Sequence, residues 1–251
     1  MRRWCRVLLL GLVVGALTAQ AQPREWLVVG TPFPQIFEQG DDGDVHGLAP
    51  AILRQIAVQL GAELRFELYP WTRAQRMVEL GQADILVGPY RTAEREARFA
   101  FAAAPFYQDR IVFYVRGDKR ITWNGDYASL GSRRLAVVRG WIYGSRFEAR
   151  RADLHPVAVE TVRNGLRMLD AGRIDLLASN QRNTVPLLQA LGLRGRIVEL
   201  APLIDVQRGY FAFPRGPGHD PLRQRFDQAF AALVASGELA RLATPLGVNV
   251  P

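Results

Sequence analysis

Apolar and polar positions along the chain alternate between two textures: short unbroken apolar runs, and longer stretches whose apolar side chains recur at helical spacing. The runs predict strands at 26–31 (WLVVGT), 64–69, 84–88 (DILVG) and 110–115, and the spaced stretches predict helices at 48–60, 71–80 and 92–98. Pro70 cannot continue a strand ladder, and Thr72 is expected to cap the helix that starts beside it. Gly61 and Gly81 fall where helices should stop. Strands separated by helices imply an α/β fold whose largely parallel sheet is covered on both faces.

Beyond residue 115 the texture changes. The polar stretch 116–126 (RGDKRITWNGD) reads as a crossing between domains. A second βα series follows, with strands at 135–139, 157–160, 174–178 and 196–200 and helices at 144–151, 162–171 and 184–191. Residues 209–215 (GYFAFPR) read as a strand running into a Pro/Gly-rich turn and a last helix at 221–236, which would return the chain to the first domain. Two crossings would form a hinge, a known means of enclosing a ligand.

The N-terminus follows a different rule. Arg2, Arg3 and Arg6 flank the start of an 11-residue apolar run, 7–17, and Ala19-Gln20-Ala21 follows it. This is the order of a secretory signal peptide, and the run is too short for a membrane span, which needs roughly 20 residues. Residues 1–21 are therefore expected to be removed on export to the periplasm. Cys5, the only cysteine, lies ahead of the run, where it cannot anchor a lipoprotein. The exported chain then has no disulfide and depends on its packed core, for which 49% hydrophobic residues suffice. The formal charge of +8 falls to +5 without the three leading arginines, since 29 basic residues then face 24 acidic ones. Arginine supplies nearly all of the positive charge and is scattered, which argues against a nucleic-acid partner.

Catalytic and metal signals are absent from the pattern. His46, His155 and His219 have no metal-ligand spacing, and no serine sits in a G-x-S-x-G elbow. The cluster Asp41-Asp42-Gly43-Asp44 lacks the later glutamate of a calcium loop and reads as a polar hairpin turn. No glycine-rich phosphate loop follows a strand, so no nucleotide cofactor is expected.

The stretch 69–107 reads YPWTRAQRMVELGQADILVGPYRTAEREARFAFAAAPFY. Its Gly-x-x-Asp at 81–84, Thr-x-x-Arg at 92–95 and Phe-x-x-x-Pro-Phe at 101–106 resemble, in order and spacing, the extracellular solute-binding proteins of family 3, typified by the polar amino-acid binding proteins of ABC importers. Gly172-Arg173-Ile174-Asp175 extends the resemblance into the second half. What the resemblance implies is a two-lobed type II periplasmic binding fold, with lobe 1 built from 22–115 and 216–251 and lobe 2 from 116–215. It also implies a monomer that captures a small ligand without turnover and serves an ABC transporter permease or a membrane receptor. A sensing protein, or an enzyme like the cyclohexadienyl dehydratases of the same fold, are the alternatives.

By the same resemblance, Arg95 is expected to pair with a ligand carboxylate, helped by the backbone at Gly88 and Tyr90; the alternative is a surface pair with Glu94 or Glu96. Phe33 and Trp71 fall where aromatics meet the ligand, and Arg73 faces either cleft or solvent. The second lobe departs from the amino-acid pattern. Trp141 and Tyr143 stand in the segment that usually carries small residues against the carboxylate, and Asn180 stands where an acid usually receives the ligand's ammonium. A neutral amide cannot neutralise that cation. The expected ligand is therefore a small carboxylate-bearing or aromatic molecule, unless a nearby acid such as Asp205 restores amino-acid binding.

Overall fold

The computed structural model describes residues 24–251, so the export segment and Cys5 lie outside the described residues. Strand β1 (Arg24–Gly30) leads through a small hairpin, β2 (Glu38–Gln39) and β3 (Val45–His46), into α1 (Leu48–Leu60), β4 (Ala62–Leu68), α2 (Trp71–Glu79), β5 (Ile85–Tyr90), α3 (Ala93–Arg98) and β6 (Phe99–Phe101). The long strand β7 (Tyr107–Arg116) carries the chain to β8 (Leu135–Val138), α4 (Ser145–Leu154), β9 (Val157–Val159), α5 (Val162–Asp170), β10 (Leu176–Asn180) and α6 (Gln181–Ala190). Strand β11 (Ile197–Pro214) returns it to α7 (Asp220–Ala235) and α8 (Glu238–Ala243).

The strands order as β4-β1-β5-β11-β7-β10-β8-β9, with β6 paired to β11. Pairing is parallel within each lobe, β1 with β4 and β5, and β8 with β9 and β10. The two central strands are antiparallel to each other and to their outer neighbours, because one carries the chain out and the other brings it back. The expected parallel sheet thus holds in each half and fails at the centre.

Local signals account for most elements. Gly61 ends α1 in the left-handed region at φ 64°, and Gly81 follows α2 at φ 69°. The acidic cluster forms the predicted hairpin turn, closed by Gly40 N–H donating to Asp44 O at 2.8 Å. Helix α5 buries Val162, Leu166 and Leu169, three or four residues apart, against the second lobe's core. The first lobe packs around Phe211, which stacks on Phe106 at 4.1 Å and meets Phe226 at 5.1 Å.

Several sequence expectations are corrected. Thr72 does not cap α2; Pro70 holds the N-cap position and no side chain caps it. Helix α6 starts at Gln181, not at 184, because Asn180 caps it by accepting Asn183 N–H at 2.9 Å. The two strands expected at 196–200 and 209–215 are one strand. The residues between them are mostly exposed or half-buried and include Pro202, which disguises a strand, and the ladder shifts register there, from Leu200 opposite Phe113 to Asp205 opposite Ile111. Strand β7 pairs with β10 through Ile111–Tyr114. In the segment 116–126 that follows it, Trp123 is buried, 5.0 Å from Phe113, with its indole N–H donating to Pro202 O.

Candidate functional site

The C-terminal ends of β1 and β5 and the starts of α2 and α3 face the ends of β8 and β10 and the start of α6. Ligands of open α/β sheets lodge at such strand ends. Between the lobes lies a cavity of ≈ 20 Å³, room for about one water. Phe33, Trp71, Gly88, Tyr90, Arg95, Trp141 and Asn180 line it, joined by Tyr107 and Ile142. Seven of the eight residues singled out in the sequence therefore meet at one place. The eighth, Tyr143, does not. Gly140 and Gly144, both at positive φ, turn the segment so that Trp141 and Ile142 face the cleft and Tyr143 enters the lobe's interior. There Tyr143 packs 5.0 Å from Phe147, and its hydroxyl accepts Val138 N–H at 2.6 Å.

Gly88 is required inside β5. Its φ is +87°, and a Cβ there would lie 3.1 Å from Tyr107 Oη and 3.2 Å from Phe33. Its absence lets the Tyr107 hydroxyl donate to Gly88 O at 2.8 Å.

Arg95 stands on the first turn of α3, whose Thr92 hydroxyl accepts Arg95 N–H at 3.2 Å. Only 5% of Arg95 is exposed, and its guanidinium donates to two carbonyls, Tyr90 O at 2.9 Å and, across the cleft, Gly140 O at 2.8 Å. It lies 5.7 Å from the Trp71 ring, and Trp71 Nε1 donates to the same Gly140 O at 3.2 Å. Burial pulls the pKa of Arg95 down to about 10, so it stays cationic near neutrality. Among the described residues it makes no ion pair; Glu96 pairs instead with Arg91. The surface-pair alternative is thereby set aside.

Behind the cavity wall lies a pair that the sequence did not disclose. Asp109 of β7 and Arg182 of α6 form a bidentate bridge, Nε to Oδ1 at 2.9 Å and Nη2 to Oδ2 at 2.8 Å, with side chains 2% and 8% exposed. Asp109 Oδ2 also accepts the Tyr90 hydroxyl at 2.7 Å and Asn180 Nδ2 at 3.2 Å. Arg182 reaches across the cleft to Pro34 O at 2.7 Å and lies over Tyr107, 5.0 Å from its ring. Burial works against the Arg182 cation, but the Asp109 carboxylate outweighs it and holds its pKa above the ordinary value. Burial and the Asp109 charge together push the Tyr90 phenol well up.

A larger groove of ≈ 740 Å³ continues outward from the cavity, sharing Phe33, Trp71 and Trp141 and adding Tyr69, Pro34 and Leu187. Asn183 also lines this groove, and its buried Nδ2 has no hydrogen-bond partner. Arg73 lies outside, exposed and stacked 4.3 Å over Tyr69. Asp205 does not line the cavity; it packs against Gly144 and is bonded to Val206 N–H and Gln207. Among the described residues no three His, Cys, Asp or Glu side chains gather as a metal site.

The sequence profile of the bacterial extracellular solute-binding proteins, family 3, matches residues 27–245. The chain belongs to that family. This family 3 solute-binding protein has the two-lobed α/β fold of its structural neighbours. A histidine kinase sensor domain with similarity to periplasmic binding proteins superposes with a TM-score of 0.80 at 23% identity, covering 91% of this chain and 99% of its own. The substrate-binding protein of an amino acid ABC transporter gives 0.73 at 20% identity, with 88% and 98% covered. A substrate-binding protein of an ABC uptake transporter from Streptococcus pneumoniae, solved with bound histidine, gives 0.73 at 15% identity, with 88% and 92% covered. No curated protein sequence matches the chain. In the sequence of this solute-binding protein Asp109 stands between Gln108 and Arg110, in the polar start of a strand whose apolar run is 111–115, and gives no signal of a buried pair. Its partner, 73 residues away, carries none.

Proposed function

We propose that this protein captures a small, carboxylate-bearing, amino-acid-like ligand between its lobes and delivers it to an ABC-type uptake system, releasing it unchanged. The observation that carries this reading is Arg95, a buried guanidinium in the interlobe cavity that among the described residues has carbonyls but no carboxylate bonded to it. A ligand carboxylate supplies the missing charge in bidentate form. Lobe 1, 22–115 with 216–251, and lobe 2, 116–215, would close about β7 and β11, and the ≈ 20 Å³ left between them requires opening before a ligand enters. Phe33, Trp71 and Trp141 would hold the ligand's apolar body. After loss of 1–21 the chain would work as a monomer in the periplasm. Among the described residues no helix is long and apolar enough to cross a membrane.

The test is a thermal-shift screen of the exported chain against amino acids, other carboxylates, polyamines and sugars. A ligand at 100 times its Kd adds about 2.7 kcal/mol, and Arg95→Ala should erase that gain. Stabilisation by a sugar or polyamine alone, equal in Arg95→Ala, overturns the reading. The sensor-domain neighbour favours a second reading, in which occupancy is reported to a membrane receptor. Gene deletion separates the two: loss of ligand uptake supports transport, and loss of response with uptake intact supports sensing.

A further inference from the structure

The polar groups around the cavity divide unevenly between donors and acceptors. Four acceptors at the wall already take a protein donor: Tyr90 O and Gly140 O from Arg95, Gly88 O from Tyr107, and Asn180 Oδ1 from Asn183 N–H. Pro34 O takes Arg182. Asp109 accepts four hydrogen bonds, two from Arg182 and one each from Tyr90 and Asn180, which is about the full capacity of a carboxylate. The unmet polar demand runs the other way. Among the described residues Arg95 pairs with no anion, and Asn183 Nδ2 in the adjoining groove has no acceptor.

Charge bookkeeping gives the same answer. Asp109 and Arg182 cancel, so the buried wall holds one net positive charge, on Arg95. A monoanion neutralises it. A zwitterion brings the same carboxylate together with an ammonium that needs acceptors, and a buried ammonium without them keeps its desolvation cost. At the groove mouth Glu160 pairs with Arg139 at 2.8 Å, and Glu38, which accepts Gln35 N–H at 2.9 Å, lines the outer groove and not the cavity wall.

We infer that the Asp109–Arg182 pair sets the ligand class: Arg182 neutralises in advance the acid that lies behind Asn180 and could answer a ligand's ammonium, so the cleft selects an apolar monocarboxylate that carries no amino group. This rests on Arg95 as the carboxylate contact. The ligand's carboxylate meets Arg95, and its aryl or alkyl body extends past Trp71, Trp141 and Phe33 into the larger groove. Arg182 is a specificity-determining residue that acts through Asp109.

Matched ligands differing only in the amino group test this: 3-phenylpropanoate against phenylalanine, and 4-methylpentanoate against leucine, titrated by calorimetry into the exported chain. The deaminated member of at least one pair should bind about tenfold tighter or better. Amino acids that bind as tightly as their deaminated partners overturn the inference, and so does failure of all four to bind. Arg182→Met frees Asp109 and should move the preference toward the amino acid by about tenfold. The double variant Asp109→Asn/Arg182→Met removes both charges and should keep the wild-type preference; a double variant that favours the amino acid overturns the inference. If Arg182→Met does not fold, Asn180→Asp places an acid on the wall itself, and an unchanged binding ratio there counts against the inference. Arg95→Ala isolates the underlying reading. Undiminished binding of the monocarboxylate in Arg95→Ala removes Arg95 from the site, whereas lost binding together with equal wild-type affinity for both members leaves Arg95 standing and removes only the ligand class.

Discussion

Arg95 and Arg182 carry the same guanidinium against neighbouring aromatic rings, 5.7 Å from Trp71 and 5.0 Å from Tyr107, yet their surroundings give them opposite roles. Arg182 is neutralised by a bidentate carboxylate, and Arg95 has only carbonyl oxygens. Removing one member of a buried pair leaves the other charge stranded, so Asp109→Asn should lower stability by about 3–5 kcal/mol, read from urea unfolding midpoints. Arg95→Met removes a buried charge that has no partner, so it should cost clearly less than Asp109→Asn while erasing ligand stabilisation. An equal loss in both variants would contradict this assignment of charges. The place of Arg95 at the cavity was legible in the sequence because Thr92 and the segment Phe101 to Phe106 form a local pattern around it. Asp109 and Arg182 were not, because only the folded sheet brings residues 73 apart together.

Elements with their own stop and start chemistry were equally legible. Helix α1 ends at Gly61, and the turn at Asp41 to Asp44 closes as its composition requires. What local pattern could not disclose was set by tertiary neighbours: the middle of β11, which shifts register against β7, and the inward turn of Tyr143 between two positive-φ glycines. Helix α3 shows how much one local contact can matter. At six residues it is too short to persist alone, so its Thr92 cap helps fix the direction of Arg95. Thr92→Ala should cost about 1 kcal/mol and raise the ligand Kd severalfold, while Asp126→Ala, which removes the cap of the short turn Tyr127–Leu130 outside the cavity and the groove, should cost similar stability and leave Kd unchanged. Equal effects on Kd would show that the cap acts on the fold in general.

At the scale of the whole molecule, three side chains among the described residues reach across the cleft to a carbonyl of the other lobe: Arg95 and Trp71 to Gly140 O, and Arg182 to Pro34 O. The Asp109–Arg182 bridge, the hydrogen bonds from Asn180 to Tyr90 and Asp109, and the continuous ladder of β7 and β11 join the lobes as well. Trp71 from the first lobe and Trp141 from the second stand either side of Phe33, at 5.6 and 6.3 Å. Trp26 and Trp123 are buried away from the cleft, so their emission should form a steady background. Separation of the lobes would wet two indoles at once, and closure on a ligand would dry them. The chain thus carries its own optical gauge: ligand titration should shift the emission maximum of the unlabelled protein, and Trp71→Phe combined with Trp141→Phe should silence that shift. The colour of its light would then give the state of the cleft, with no probe attached.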